Sequence, residues 1–211
     1  MLFYALLVLI FISTCKLVES SEIAIIDTFE YASETEAQKV WTPQAGSMAV
    51  TLGSHDTEHG KQAMMMNCDF SQKGDRCYWD KEVDLNLTRF GRFSLWVYSE
   101  KPFTISGCTL YFQSGDGWFA GRFSPAKTGW QKVILRKSDF VTEGTPKGWG
   151  EIKRIRISFW KGQNLDTIVG IDDLLAIADD IVIVMGDLTF QKNPSQARTV
   201  REFADSMARM L

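Results

Sequence analysis

The sequence contains few of the residues that most often carry catalysis or bind zinc. Its 211 residues include two histidines and four cysteines, and no CxxC pair or Cys/His cluster has zinc-site spacing. GxSxG, HExxH, a phosphate-binding loop and a dinucleotide fingerprint are missing. The two histidines, His55 and His59, lie in one polar loop, "SHDTEHGK", which is typical of a solvated turn. We therefore expect no catalysis within these residues.

The chain also lacks any run of basic residues. Its 23 Lys and Arg are scattered among 26 Asp and Glu, and the net charge is -3. Nucleic acids and anionic membrane surfaces attract basic patches. Neither is expected as a partner. The only association with a membrane that the sequence suggests is that of its N-terminal segment.

The N-terminal run "MLFYALLVLIFISTC" is apolar but too short to span a bilayer comfortably. It has the length of a signal-peptide core, although the usual positive charge before it is missing. We predict that residues 1–21 are a signal peptide cleaved near Ser20, and that the protein is secreted or exposed on the cell surface. A retained anchor and lipidation at Cys15 are the alternatives, and Thr14 makes a poor lipidation motif.

Removal of that segment leaves Cys68, Cys77 and Cys108. An odd number of cysteines leaves at least one thiol free or paired between chains. Cys68 and Cys77 flank a turn-like segment and could bridge neighbouring strands, but buried thiols fit the pattern equally well. The sequon at Asn86 matters only in a eukaryotic secretory pathway.

Residues 22–178 have the pattern of a β protein. Short β-prone runs such as "RFSLWVYS" and "RIRISFW" alternate with glycine-rich turn signals such as "SGDG" and "PKGWG". Regular spacing of many short strands indicates a sandwich or barrel. The polar segment 31–44 is compatible with a loop or a short helix.

The pattern changes after residue 178. "DDIVIVMGD" is a continuous apolar strand of the type buried in parallel sheets, and residues 194–211 carry apolar positions at helical spacing. A buried strand followed by such a helix is how an α/β domain begins. We predict that residues 179–211 are a linker strand and helix opening a truncated α/β domain of a longer protein. A C-terminal helix packed on the β domain is the alternative.

Strand alternation predicts which side chains leave the core. In "RIRISFW", Ile155, Ile157 and Phe159 point one way and are expected inside. Aromatic rings mixed with planar polar groups suit sugars, because rings stack on the C–H faces of a pyranose. A sandwich has two sheets, so only some outer residues can share a surface, and some aromatics can be buried on both faces. The predicted glycan-binding residues are Trp96, Tyr98, Tyr111, Gln113, Trp118, Arg122, Arg156 and Trp160. By contrast, Trp130 and Trp149 are expected to be wedge residues that close the sandwich, rather than ligand contacts.

The order of "FE", "HGKQAM", "LWVYS", "GWQKVILRKSDF", "GWGEIKRIRISFW" and "IDDLLA" resembles the jelly-roll carbohydrate-binding modules of the galactose-binding-like fold. The resemblance covers residues 23–178. It implies a noncatalytic β-sandwich appended to a secreted glycoside hydrolase-like protein, with polysaccharide or oligosaccharide and a downstream domain as partners. A structural β-sandwich that mediates interdomain or subunit contacts is the alternative. The strand and helix predicted in residues 179–211 resemble, more weakly, the beginning of a Rossmann-like or amidotransferase-like domain.

The stretch "TIVGIDDLLAIADD" places two carboxylates inside an apolar strand. A buried charge is costly unless it is paired or bound to a cation. The resemblance implies a structural calcium held by Glu30 and Asp172, with Asp27 as a weaker ligand, and calcium favours such oxygen ligands. Alternatively, Asp172 accepts backbone N–H groups or pairs with Lys61. Asp173 is expected on the opposite face, in solvent.

Overall fold

The computed structural model describes residues 22–56, 59–72 and 74–178, and the backbone of strands at 16–20, 180–185 and 188–192. Short 3-10 turns lie at Pro102–Thr104 and Lys137–Asp139. Among the described residues, no helix is both long and apolar enough to cross a membrane. The elements are β1 (Lys16–Ser20), β2 (Ile23–Asp27), α1 (Glu34–Val40), β3 (Thr42–Gln44), β4 (Thr51–Ser54), β5 (Gln62–Cys68), β6 (Arg76–Leu85), β7 (Arg92–Ser99), β8 (Ile105–Phe123), β9 (Gly129–Arg136), β10 (Val141–Pro146), β11 (Ile152–Lys161), β12 (Thr167–Ile177), β13 (Asp180–Met185) and β14 (Leu188–Lys192).

The chain divides into two compact units, and residues 22–178 form the larger one. In its described part, a five-stranded sheet has the order β10-β8-β11-β6-β3. A six-stranded sheet has the order β4-β5-β12-β7-β9, with β2 paired to β12. All pairings in both sheets are antiparallel. The predicted mainly-β sandwich is confirmed.

The core lies between the inner faces of the two sheets. Ile155, Ile157 and Phe159 of β11 are fully buried, as are Phe93 and Val97 of β7, so strand alternation predicted the inward faces correctly. Interiors are close-packed, and truncating a buried Phe to Ala typically costs about 3–5 kcal/mol.

Trp149 covers one part of this core, as predicted. Its ring stacks on Phe119 with 4.1 Å between centroids and 14° between planes, and it lies 5.5 Å from Phe93. Its carbonyl accepts a hydrogen bond of 2.8 Å from the Leu87 N–H. Because both ring and backbone are engaged, Trp149 ties the loops at this end to both sheets.

Strand β8 reverses direction at Gly115. A strand rises about 3.3 Å per residue, so rings seven positions apart on a straight strand would be about 23 Å apart. The rings of Tyr111 and Trp118 are in fact 5.8 Å apart. Gly115 has a φ of 56°, a conformation that glycine adopts without steric cost. The two runs predicted as separate strands, "CTLYFQS" and "GWFAGRF", are therefore the two arms of one reversing strand.

The segment that could be a loop or a helix contains α1. Ser33 is the N-cap, and its hydroxyl accepts a hydrogen bond of 3.2 Å from the Glu36 N–H. The Glu36 carboxylate accepts one of 3.0 Å from the Ala32 N–H. This reciprocal capping satisfies backbone donors that the first helical turn leaves free.

The second unit comprises residues 1–21 and 179–211. Its described strands pair antiparallel, β1 with β13 and β13 with β14. The strand expected in the apolar run after residue 178 is present, but the parallel pairing expected from its composition is wrong. An antiparallel hairpin does not support the start of a truncated α/β domain. The predicted helix and most of the predicted signal peptide lie outside the described residues.

The three cysteines of the larger unit, Cys68, Cys77 and Cys108, are buried. Contact with Cys77, burial and nearby Cys108 raise the pKa of Cys68, and burial raises the pKa of Cys108. The structure therefore matches the buried-thiol alternative and contains no Cys68–Cys77 bridge.

Candidate functional site

The outer face of the five-stranded sheet is organised around an ion pair between two strands. The register places Arg156 of β11 opposite Asp80 of β6 and Tyr111 of β8. The Arg156 guanidinium donates hydrogen bonds of 2.6 and 2.8 Å to the two oxygens of Asp80. These hydrogen bonds raise the pKa of Arg156 against the opposing effect of its burial. Bidentate geometry of this kind fixes a guanidinium in one plane.

Two arginines and three aromatic rings alternate along this face. Arg156 lies 4.5 Å from the ring centroid of Tyr78 and 4.6 Å from that of Trp118. Arg76 lies 4.2 Å from the Tyr78 centroid and 4.8 Å from that of Trp160. We call this row, Trp118–Arg156–Tyr78–Arg76–Trp160, the arginine–aromatic ladder. Its cation–π contacts hold three half-buried rings in fixed positions.

Open clefts lie at both sides of the ladder. One, of about 470 Å³, is next to Trp160 and contains Arg122. The other, of about 440 Å³, lies against Asp80 at the β3 edge of the sheet. The first is lined by Ser106, Gly107, Cys108, Thr109, Arg122, Phe123, Ser124 and Trp160. The second is lined by Lys39, Val40, Thr42, Gln44, Asp80, Glu82 and Arg154.

The eight predicted binding residues do not form one surface. Trp96 and Tyr98 belong to β7 in the six-stranded sheet and are separated from the others by the core. Tyr111 is on the expected face but only 4% exposed, because its ring packs edge-on against Trp118. Six lie on the five-stranded sheet, in β8 and β11: Tyr111, Gln113, Trp118, Arg122, Arg156 and Trp160.

Strand β6 supplies site residues that the sequence analysis missed. Arg76 ends the turn-like segment "DFSQKGDR", Tyr78 and Asp80 follow it, and the run was not identified as a strand. Its alternation was the available signal. Cys77 and Trp79 are fully buried, whereas Arg76 and Tyr78 are partly exposed, which is the period of two expected for a strand with one face in the core.

A second cluster lies on the outer face of the six-stranded sheet around His55. Its ring stacks on Trp130, with 3.9 Å between centroids, and lies edge-on to Trp96 at 5.2 Å. Its Nδ1 is 3.0 Å from Oδ2 of Asp172, and its side chain is 11% exposed. The expectation of a solvated loop is therefore wrong for His55. Trp130, predicted to be a wedge that closes the sandwich, instead packs its ring on His55 and Tyr98 in this cluster.

Asp172 and Asp173 are both buried, at 0% and 4% exposure. The pairing of β12 with β7 shifts register between Asp172 and Leu175, and Asp173 has a φ of 47°. This irregularity interrupts strict alternation, so the expected solvent exposure of Asp173 is wrong. Burial, with the neighbouring charge of Asp173, raises the pKa of Asp172 to about 7. Burial also lowers the pKa of His55.

The predicted calcium ligands have other partners. Asp27 accepts hydrogen bonds from Phe29 N–H (2.8 Å), Tyr31 hydroxyl (2.6 Å), Trp41 indole (3.0 Å) and the Lys81 ammonium (2.7 Å). A second cation beside Lys81 would be repelled.

Glu30 and Asp172 are also engaged. Glu30 accepts a hydrogen bond of 2.5 Å from the Gln62 N–H, while Asp172 faces His55 and accepts one of 2.8 Å from the Asp173 N–H. The charge of Glu30 still contributes to the raised pKa of Asp172. Among the described residues, no three His, Cys, Asp or Glu side chains are grouped to hold a metal. The described side chains thus do not assemble a metal cage, and calcium stays a prediction.

No protein-family model and no curated protein matches the chain. Several solved structures are similar to it. A family 11 carbohydrate-binding module from Clostridium thermocellum, in complex with a β-1,3-1,4-mixed-linked tetrasaccharide, is 13% identical, with a TM-score of 0.48 over 74% of this chain and 96% of that one. TmCBM61, in complex with β-1,4-galactotriose, is 16% identical, with a TM-score of 0.40 over 66% and 86%.

An agarase is 10% identical, with a TM-score of 0.50 over 73% of this chain and 24% of the agarase. At this identity the likeness concerns the fold alone. The solved structures that this chain resembles thus include carbohydrate-binding modules and an agarase, and what it shares with them is the β-sandwich fold.

Proposed function

We propose that the chain is a noncatalytic glycan-binding module whose binding face is the outer side of the five-stranded sheet. The observation that carries the proposal is the arginine–aromatic ladder between two open clefts. Rings supply apolar surface for the C–H faces of sugars, and the polar groups around them hydrogen-bond hydroxyls. A face with both kinds of group in one row suits an extended oligosaccharide.

The ladder is preorganised before any ligand binds. Asp80 fixes Arg156, and Arg156 lies against both Tyr78 and Trp118. Mobile surface side chains lose conformational entropy when they bind a ligand, and this loss is a major cost of binding. Rings that are already held in place lose little. This rigidity favours recognition of a sugar surface that is itself semi-rigid.

The carboxylates of this face support a binding role rather than hydrolysis. Asp80 is held by Arg156, and Glu82 accepts a hydrogen bond of 2.6 Å from Arg154. A glycosidase needs one carboxyl group to donate a proton and a second to act as nucleophile or base. Because both carboxylates are engaged by guanidinium groups, we infer that these two groups orient the arginines.

The module is also proposed to be one part of a larger protein. We propose that it is exported and belongs to a glycoside hydrolase-like polypeptide. The hydrophobic N-terminal run motivates the export. The agarase, in which the similar region covers 24% of the chain, motivates the larger context.

Calorimetry against a panel of soluble polysaccharides tests the binding role. We expect Trp118→Ala to weaken binding at least about tenfold, since loss of one stacking ring costs on the order of 1–2 kcal/mol. Trp96→Ala is the matched control, because Trp96 is on the other sheet and should leave affinity unchanged. Absence of binding to every glycan, or equal effects of the two substitutions, would contradict the proposal.

A contact surface for another domain or subunit is a second candidate function. One observation favours it: Ile25 of β2 and Ile134 of β9 are 54% and 58% exposed, and the register aligns them with Leu175 and Ser94 across the six-stranded sheet. Exposed apolar groups in one row are typical of interaction sites. We expect Ile25→Lys with Ile134→Lys to abolish any self-association seen by sedimentation while leaving glycan affinity intact.

A further inference from the structure

We infer that the cleft beside Trp160 binds the anionic group of an acidic sugar, a ring that carries a carboxylate or a sulfate. This inference names the ligand class of the proposed glycan site and rests on that proposed function. Three features of the described residues carry it: a guanidinium without a carboxylate partner, a second and weakly paired arginine, and an aromatic ring in the cleft wall.

Arg76 differs from the other arginines of this face in its partners. Arg156 is paired with Asp80, Arg154 with Glu82, and Arg122 with Glu143. Arg76 contacts the rings of Tyr78 and Trp160, and within the described residues no carboxylate lies within 4.0 Å of it.

The positive charge without a nearby carboxylate therefore lies at Arg76. Asp80, Glu82 and Glu143 pair with Arg154, Arg156 and Arg122, whereas the guanidinium of Arg76 stacks on Trp160. Trp160 lines the cleft of about 470 Å³, a size within the range of roughly 300–1,000 Å³ found for small-ligand sites. Arg76 thus lies against Trp160 from the β6 side, and the cleft opens on the β8 side of the same ring.

Arg122 contributes a second positive charge, at the cleft itself. Its side chain is 72% exposed, and its contact with Glu143 is long, at 3.7 Å. Such exposed pairs are weak and exchange readily for a better partner. Arg122 can therefore turn toward an anion without loss of a strong interaction.

The geometry of Arg76 suits an oxyanion on a sugar. A guanidinium stacked on rings keeps its N–H donors at its edge, where they match the two oxygens of a carboxylate or sulfate. Trp160 offers a ring beside it for the C–H face of the same sugar. One residue pair thus recognises both the charge and the ring of an acidic sugar.

Calorimetry with oligosaccharides of equal length tests this inference. The probes are galacto-oligosaccharide, oligogalacturonate and a sulfated galacto-oligosaccharide, each measured at low and high salt. We expect at least one acidic probe to bind about tenfold more tightly than the neutral one, the gain expected of one charge-assisted contact. That gain should shrink at high salt. Whether oligogalacturonate or the sulfated probe gains affinity identifies the anion.

Arg76→Gln and Arg122→Gln should each lower the acidic-to-neutral affinity ratio at least about threefold. Lys132→Gln is the matched control, because it removes one positive charge from β9 of the other sheet and the ratio should not change. A ratio near one in the wild-type protein, with neutral binding still sensitive to Trp118→Ala, would overturn this inference and leave the glycan-binding proposal standing. No binding of any probe would overturn both.

Discussion

Arg156 and Asp80 form a bidentate ion pair that links β11 to β6, with N–O distances of 2.6 and 2.8 Å. The two side chains are 18% and 7% exposed, so both charges have left bulk water. Removal of one partner leaves the other unpaired in a poorly solvated site, which is more costly than removal of both. The pair therefore stabilises the sheet and orients the ladder at once.

The first prediction is a non-additive effect of substitutions at this pair. We expect Asp80→Ala to lower the free energy of unfolding by on the order of 3 kcal/mol, because Arg156 keeps its charge without a partner. Combining it with Arg156→Met should recover part of that loss. Urea unfolding of the wild type, both single variants and the double variant measures the coupling.

Lys153 and Asp84 provide the control for that cycle. They form an ion pair of 2.7 Å with 56% and 83% exposure, and exposed pairs contribute little to stability. Asp84→Ala should change unfolding by less than about 0.5 kcal/mol. Simple additivity of Asp80→Ala and Arg156→Met would show that their hydrogen bonds are not energetically coupled.

The second prediction concerns the thiols. Cys68, Cys77 and Cys108 are buried, and the raised pKa of Cys68 and of Cys108 keeps these thiols protonated, whereas alkylation requires the thiolate. We expect iodoacetamide at neutral pH to label none of the three in the folded protein and all three in urea, as counted by mass spectrometry. Rapid labelling before unfolding would mean that this part of the core opens locally.

Much of the fold follows from strand alternation, which needs only local sequence. Phe93, Ile157 and Phe159 were placed correctly because each strand has one apolar side that must be covered. Sheet membership is different, because it depends on which strands pair over long separations. Alternation puts Trp96 and Trp118 outside in the same way, and only the pairing shows that they lie on opposite sides of the sandwich.

The site was harder to predict where its residues act through partners. The sequence marks Arg156 as outward-facing, but its role depends on Asp80 and Tyr78, which are more than 70 residues away. Asp173 was misplaced because a register shift in β12 breaks the alternation. A loop histidine is usually solvated, and only the surrounding rings of Trp96 and Trp130 explain why His55 is not.

The third prediction tests the calcium implied by the resemblance. If Glu30 and Asp172 hold the ion, EDTA should lower Tm, since a site at 100 times its Kd contributes about 2.7 kcal/mol. Glu30→Gln keeps an oxygen acceptor for the Gln62 N–H but removes the charge, so it should abolish the EDTA effect. Asp27→Asn should retain the effect, because Asp27 is bound to Lys81. If the Tm of the wild-type protein is the same with and without EDTA, no calcium ion stabilises the fold.

The fourth prediction is a stability change with pH that arises from Asp172. Its pKa is raised to about 7 in the folded protein, whereas an unfolded Asp titrates near about 3.9. Between these values the folded state holds a proton that the unfolded chain has released, so the free energy of unfolding falls as pH rises through this window. Asp172→Asn removes the titration. We expect the variant to gain on the order of 2 kcal/mol relative to wild type between pH ~5 and pH ~8.

The comparison with Asp172→Asn isolates this carboxyl from its neighbours. Burial lowers the pKa of His55, which acts in the opposite direction; because His55 contacts Asp172, the comparison is made with His55→Gln in both proteins. Carboxylates at Asp173, Glu30 and Asp27 add to the raised pKa of Asp172 and are also common to both. Urea unfolding in EDTA at each pH measures the difference. A constant difference across this range would mean that Asp172 is already ionised in the folded protein and would contradict the prediction.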